Sequence, residues 1–333
     1  MLTDKRHNFK PFEYSWAHEF YKKQQSVHWV EEEIAMASDL NDWNFKLTAP
    51  EKNLIGNILK GFTQMEVLVG DYWRNVAEWF PKPEICQMAA CMSYFETIHQ
   101  NAYDLLNATL GLNDYNAFIH EEEIKNKIDA LIDTKSDSDL DKLVSLAVFS
   151  AFTEGVSIFS SFAILLSFQT RNLLKSVGQI VSFSIRDESL HSKAGIKLFN
   201  VFKSELNLTP EQNIIVATKI QEAAKLVYEL ESKYIDTCFS LGSIVCRDDI
   251  SSKDFMLTPN HIRSFIKHRI SNKLLELNQD STEWLLNGDE IELIKDMKWF
   301  DNLSSGAEFQ DFFAGRVTEY GKYYIKAEDF KFD

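Results

Sequence analysis

Residues 146–168, LAVFSAFTEGVSIFSSFAILLSF, form an apolar run long enough to cross a bilayer, yet Glu154 sits near its centre. A bilayer-spanning helix needs about 20 apolar residues, and a charge inside one is rare. An ionised carboxylate left alone in a dry interior takes up a proton or acquires a partner, because its desolvation is so costly. The stretch is therefore either an unusual membrane span or a core helix whose glutamate meets a cation. No other segment approaches transmembrane length, so the core helix is the stronger reading and no membrane is expected.

The rest of the chain suits a bundle around that helix. Twelve glycines and six prolines in 333 residues leave little punctuation, and apolar residues recur at three- and four-residue spacing. One helix is expected from LTAPEKN, with Pro50 in its first turn, to Trp79, before Pro81 and Pro83. Others are expected over Glu84–Leu110, stopping at Gly111, over 142–168 and over Leu173–Leu206. Thr209-Pro210 and Thr258-Pro259 each read as an N-cap and first-turn proline opening a further helix, the second after a loop containing Arg247-Asp248-Asp249. No alternating strand pattern stands out. The expected architecture is one all-α helical domain over residues 1–305, followed by a flexible tail, 306–333, of mixed aromatic and charged residues.

Composition narrows the partners. A 45% hydrophobic content provides for a large core, and a formal net charge of -15 argues against nucleic acid or an anionic membrane surface. Cys86, Cys91, Cys238 and Cys246 form no C-x-x-C pair and read as reduced cytoplasmic thiols. The opening MLTDKRHNFKPFEYSW has no apolar core of a secretory signal, which also suits a cytoplasmic protein.

Two of the expected helices carry the same motif, Glu96-x-x-His99 in YFETIHQNAYDLL and Glu188-x-x-His191 in FSIRDESLHSKA. Three residues span about 300° of helical rotation, so each Glu and His share a face one turn apart. One such motif is common by chance, with a solvated Glu and a packed His. Here both lie in apolar surroundings, and two further helices each supply an isolated buried-type glutamate, Glu66 in GFTQMEVLVG and Glu154 in AFTEGVSIF. One Glu from each of two helices plus Glu-x-x-His from each of two others is the ligand set of ferritin-like di-metal carboxylate proteins. Four carboxylates with neutral imidazoles balance two divalent cations, and mostly oxygen ligands suit iron or manganese.

At these residues the chain resembles the radical-generating small subunit of class I ribonucleotide reductase, from about Trp29 to the C-terminus. The resemblance implies a ferritin-like bundle in which Glu66, Glu96, His99, Glu154, Glu188 and His191 hold a dinuclear metal centre. It places Tyr103, four residues after His99, where the family has its radical tyrosine. Asp187 in RDESLH would orient a ligand histidine, Trp29 in SVHWVEEE would continue the electron path, and FFAGRVTEY points to Tyr320 as the tail's relay tyrosine, with Tyr323 and Tyr324 as alternatives. It also implies a homodimer, and a large catalytic subunit that reduces ribonucleotides and is docked by the C-terminal AEDFKFD.

One position departs from the commonest family pattern: most members have aspartate where this chain has Glu66. Glutamate there resembles the manganese-using subgroups, and its combination with Tyr103 is most similar to the dimanganese group. A Mn/Mn centre is therefore favoured over Fe/Fe or Mn/Fe, with the store of oxidising equivalents, metals or Tyr103, left open. Two rival functions share the fold: a ligand-binding oxidase or monooxygenase, and a ferritin-like metal store.

Overall fold

The structure is a computed structural model that describes residues 1–114, 138–247 and 253–308, with positions 116, 122, 125 and 126 between the first two stretches. Among these residues it is a helical bundle. The helices are α1 (Ser15–Ser26), α2 (Ala37–Phe45), α3 (Ala49–Trp79), α4 (Pro83–Leu110), α5 (Asp139–Arg171), α6 (Lys175–Leu206), α7 (Pro210–Cys238), α8 (Pro259–Glu276), α9 (Gly288–Lys295) and α10 (Lys298–Glu308). The expected all-α class holds apart from one small antiparallel hairpin.

Local signals set the ends of the long helices. Thr48 and Glu51 form a reciprocal capping box around Pro50 at the start of α3, and Thr209 with Gln212 does the same for α7. At the start of α8 the Thr258 backbone N–H donates to His261 Nδ1 at 3.2 Å. Gly111, in left-handed backbone at φ 74°, ends α4. α6 differs. It begins at Lys175, after Asn172 and Leu174 adopt positive φ of 57° and 52°, and has no cap of its own. Its first amides are satisfied from α2: Asp39 accepts from the N–H groups of Ser176 (3.1 Å) and Val177 (2.8 Å), and Asp42 from that of Leu174 (2.9 Å). Both aspartates are buried. Asp39→Ala should cost about 2 kcal/mol, the upper range for a cap, because two buried amides lose their acceptor. Urea unfolding measures it, and a loss under 0.5 kcal/mol would show that water replaces the carboxylate.

α5 holds the apolar run 146–168. Its most apolar window is 83% buried inside the protein, so the stretch is core. It is not a uniform helix: Asp139–Ala147 is α-helical, Val148–Ser157 is wound as a wider π-helix, and Ile158–Ser167 returns to α. α3 lies along α4, while the π-helical stretch is packed against α6, α7 and α8.

The sequence predicts no strand and places Arg247 in a loop. Instead Ile244–Arg247 (β1) pairs antiparallel with Asp254–Leu257 (β2), Arg247 opposite Asp254. Four-residue strands are too short to show a period, and this pair is held by its packing on the turn that ends α5. Asp248 and Asp249 lie outside the described residues, as do 309–333 with Tyr320, Tyr323, Tyr324 and AEDFKFD.

Candidate metal centre

Four helices bring the six candidate ligands together. Glu66 comes from α3, Glu96 and His99 from α4, Glu154 from the π-helical stretch of α5, and Glu188 and His191 from α6. Each is at most 2% exposed. They form two overlapping quartets, Glu66–Glu96–His99–Glu188 and Glu96–Glu154–Glu188–His191, in each of which one ligand atom per residue lies within 4.8 Å of the others. Glu96 and Glu188 belong to both quartets. Glu66 and His99 belong to one only, and Glu154 and His191 to the other. The two shared carboxylates can therefore bridge a pair of ions, while Glu154 can serve as a terminal ligand.

The imidazoles face inward through Nδ1. His99 Nδ1 is 3.1 Å from Glu96 Oε2 and 2.9 Å from Glu188 Oε1. His191 Nδ1 is 2.7 Å from Glu96 Oε1, 3.2 Å from Glu188 Oε2 and 3.4 Å from Glu154 Oε2. Yet both oxygens of Glu66 and Nε2 of His191 make no hydrogen bond, and one oxygen each of Glu96, Glu154 and Glu188 faces an imidazole Nδ1 across the quartets. Buried polar atoms are nearly always satisfied. This concentration of buried acceptors, all aimed at one another, fits a pair of divalent cations.

The electrostatics agree. Desolvation, then Glu96 and Glu188, pushes the Glu66 carboxyl well above its usual range, and desolvation with Glu188 does the same to Glu154. Desolvation also raises Glu188, but the two imidazoles outweigh it and hold that carboxyl far below the ordinary range. Desolvation lowers both imidazoles; hydrogen bonds to Asp187, Glu188 and Glu96 reverse this at His99, and the charges of Glu96, Glu154 and Glu188 reverse it at His191. A divalent cation supplies the positive charge that these protons otherwise provide.

Around the centre lies a second layer. His99 Nε2 is 3.3 Å from Asp187 Oδ2, an oxygen that also accepts the Trp29 indole N–H at 2.7 Å. The proton on Nε2 is fixed by that carboxylate, leaving Nδ1 free for a metal. Desolvation opposes charge on Asp187, yet Arg186, His99 and Trp29 keep its carboxyl below the usual range. Trp29 and His99 have ring centres 6.0 Å apart. Tyr103 is buried with its ring centre 6.5 Å from that of His99, and its hydroxyl donates to Ser184 Oγ at 3.0 Å.

Two contributors escaped sequence reading. Trp73 donates its indole N–H to Glu154 Oε1 at 2.8 Å, and Gln24 donates to Asp187 Oδ1 at 3.0 Å. Trp73 could have been suspected, since seven residues after Glu66 place it on the same face of α3 two turns on. Nothing local marks Gln24. Beside Glu66, Glu154 and Glu188 lies a cavity of about 20 Å³ with apolar walls including Phe62, Met65 and Val69. It has room for one water-sized molecule.

Comparison with known proteins agrees with this geometry. Residues 6–281 match the family "Ribonucleotide reductase, small chain". A protein of Invertebrate iridescent virus 6 named "Probable ribonucleoside-diphosphate reductase small subunit 376L" is 33% identical over 300 residues, covering 82% of this chain and 83% of its own. The "Ribonucleoside-diphosphate reductase subunit beta" of Chlamydia pneumoniae is 25% identical over 331 residues, 93% of this chain and 88% of the relative. Among solved structures, Streptococcus sanguinis dimanganese(II)-NrdF superposes with a TM-score of 0.70 at 20% identity, covering 88% of this chain and 99% of that one. The expectation drawn from two Glu-x-x-His motifs and two lone glutamates is met: the chain belongs to the ribonucleotide reductase small-chain family.

Proposed function

We propose that this small subunit of ribonucleotide reductase, an oxidoreductase component, holds a dimanganese centre in its two quartets and passes an oxidising equivalent outward to a large catalytic subunit. The observation that carries this reading is the continuous line His99–Asp187–Trp29, with contacts of 3.3 and 2.7 Å. A metal store has no use for such a line. A ligand-binding oxidase would need a pocket of about 300 Å³ or more for a drug-sized or acyl ligand, and the cavity beside the quartets holds about 20 Å³.

Glu66, Glu96, His99, Glu154, Glu188 and His191 would be the ligands. When bound, the metal pair supplies a strong one-electron oxidant, chemistry that side chains alone do not provide. The protein's own residues do the rest. Apolar walls keep water and stray reductants from the quartets. Asp187 holds the Nε2 proton of His99 and accepts from the Trp29 indole, so its negative charge eases removal of an electron from Trp29. From Trp29 the path would continue to Tyr320, with Tyr323 or Tyr324 as substitutes. The AEDFKFD end would bind a groove of the large subunit as a tethered peptide, its linker raising the local concentration. The large subunit would reduce ribonucleoside diphosphates, and the chain would work as a cytoplasmic homodimer.

Manganese is favoured by Glu66 in place of the aspartate common in the family, and the structural neighbour from Streptococcus sanguinis is a dimanganese(II) protein. Elemental analysis with electron paramagnetic resonance on natively isolated protein tests this, and two irons per chain would overturn it. Tyr103→Phe then separates the stores of oxidising equivalents: retained turnover assigns the store to the metals, and lost turnover with intact metal content assigns it to Tyr103.

A further inference from the structure

The Val148–Ser157 stretch is wound as a π-helix for ten residues, whereas such windings are ordinarily single turns, frequently at functional sites. Something outside the helix must hold so long a departure from the α register. Partners reach it from three helices. From α6, Ser192 Oγ donates to the Ser150 carbonyl at 2.6 Å. From α8, Arg269 Nε donates to the Gly155 carbonyl at 2.7 Å while its guanidinium lies 3.5 Å from the centre of the Phe159 ring. A Cβ on Gly155 would stand 2.7 Å from Lys273 Cε and 2.9 Å from Ser192 Oγ, so only glycine fits there without displacement. From α7, the fully buried Glu231 accepts from Ser157 Oγ at 2.5 Å and Ser160 Oγ at 2.7 Å.

The placement of these partners matters. Gly155 follows Glu154 directly, so the Arg269 contact acts one residue from a candidate ligand. Ser157 and Ser160 straddle the point where π winding gives way to α at Ile158, and a carboxylate gripping both hydroxyls fixes the rotation of the helix there. A buried carboxylate is costly compared with an apolar side chain, which suits a group whose role is registration.

We propose that Glu231 and Arg269 are positioning residues that lock Val148–Ser157 in its wide register and so hold Glu154 within the Glu96–Glu154–Glu188–His191 quartet. Both act through the helix that carries Glu154, Arg269 on the Gly155 carbonyl and Glu231 on the Ser157 and Ser160 hydroxyls. Released from them, the stretch relaxes toward ordinary α winding and turns Glu154 away from His191. The inference rests on the di-metal reading and deepens it.

The test is a Mn(II) titration of full-length protein, followed by calorimetry and electron paramagnetic resonance, for the wild type, Glu231→Leu, Glu231→Gln and Arg269→Met. Thermal unfolding of each metal-free protein confirms its fold. The first ion, on the Glu66–His99 side, should bind as in the wild type. The second should weaken about 10- to 100-fold, as for loss of partners behind a metal ligand, and the spin-coupled pair signal should give way to that of isolated Mn(II). Glu231→Gln keeps the shape and one acceptor oxygen, so it should fall between wild type and Glu231→Leu, and the series remains readable even where leucine lowers stability. Two ions of unchanged affinity with a coupled signal in the variants would overturn the proposal, as would equal weakening of both ions. Failure of the unmodified chain to bind two ions would instead overturn the di-metal reading itself.

Discussion

Glu66→Leu should make the metal-free protein more stable while stripping it of metal. Both Glu66 oxygens are buried without a hydrogen bond, and Phe62, Met65 and Val69 line the same cavity. Removing an unsatisfied buried polar group among such neighbours is worth about 1–3 kcal/mol, and for 333 residues the thermal midpoint should rise by about 1.5–4 °C. With metal present the order reverses. Ligands that bind only the folded state add about 2.7 kcal/mol at a hundredfold excess over Kd, and the variant forfeits that gain at the Glu66–His99 side. Calorimetric melts with chelator and with Mn(II) give both halves. A metal-free variant less stable than wild type would show that Glu66 has a polar role of its own.

The pH dependence of the metal-free protein follows from the same groups. Glu66 and Glu154 titrate above their unfolded value of 4.5, so above that pH the folded chain binds more protons than the unfolded one, and stability falls as pH rises. His99 and His191 titrate above 6.5; their contribution is complete below that value and is lost as pH rises through the folded one. The two sets act in the same direction. Asp187 and Glu188 are shifted downward, so their contribution is lost only on acidification. The metal-free fold should therefore be most stable near pH 5, by about 1 kcal/mol or more relative to pH 8. Metal affinity should rise over the same interval, because ligands must shed protons to bind. A metal-free stability that increases from pH 5 to 8 would contradict the protonation scheme.

Trp29→Phe should abolish turnover with the large subunit and leave two metal ions per chain. Trp29 is buried, packs on Phe183 with ring centres 5.2 Å apart, and is hydrogen-bonded toward the centre through Asp187. Phenylalanine keeps most of the packing but has no N–H and is harder to oxidise. Activity should drop at least 100-fold, the upper range for partners behind a metal ligand. Asp187→Asn is the informative contrast, because it disturbs the His99 proton as well. It should weaken metal binding about tenfold in addition to lowering turnover. Activity within twofold of wild type in Trp29→Phe would remove this tryptophan from the path.

Much of this was legible in the chain because its signals are short-ranged. Thr48, Pro50 and Glu51 announce the start of α3, and Gly111 the end of α4, using groups within one turn of each other. Glu96 with His99 and Glu188 with His191 share a face by helical geometry alone. The hairpin was missed because Ile244–Arg247 has no stability apart from what it packs against. The π winding was missed because Val148–Ser157 is an ordinary apolar helical sequence whose register is decided by residues on α6, α7 and α8.

By itself, then, the sequence determined the long helices and the six candidate ligands, since caps, apolar periodicity and i, i+3 spacing are properties of neighbouring residues. Only the tertiary structure decided which carboxylates are shared between the quartets and that Asp39 and Asp42 cap a helix more than a hundred residues away. It alone also brought Trp73 and Gln24 to the centre. The physical reason is that these features depend on which helix lies beside which. A buried charge finds its partner across the bundle, at distances in the chain where no local pattern survives.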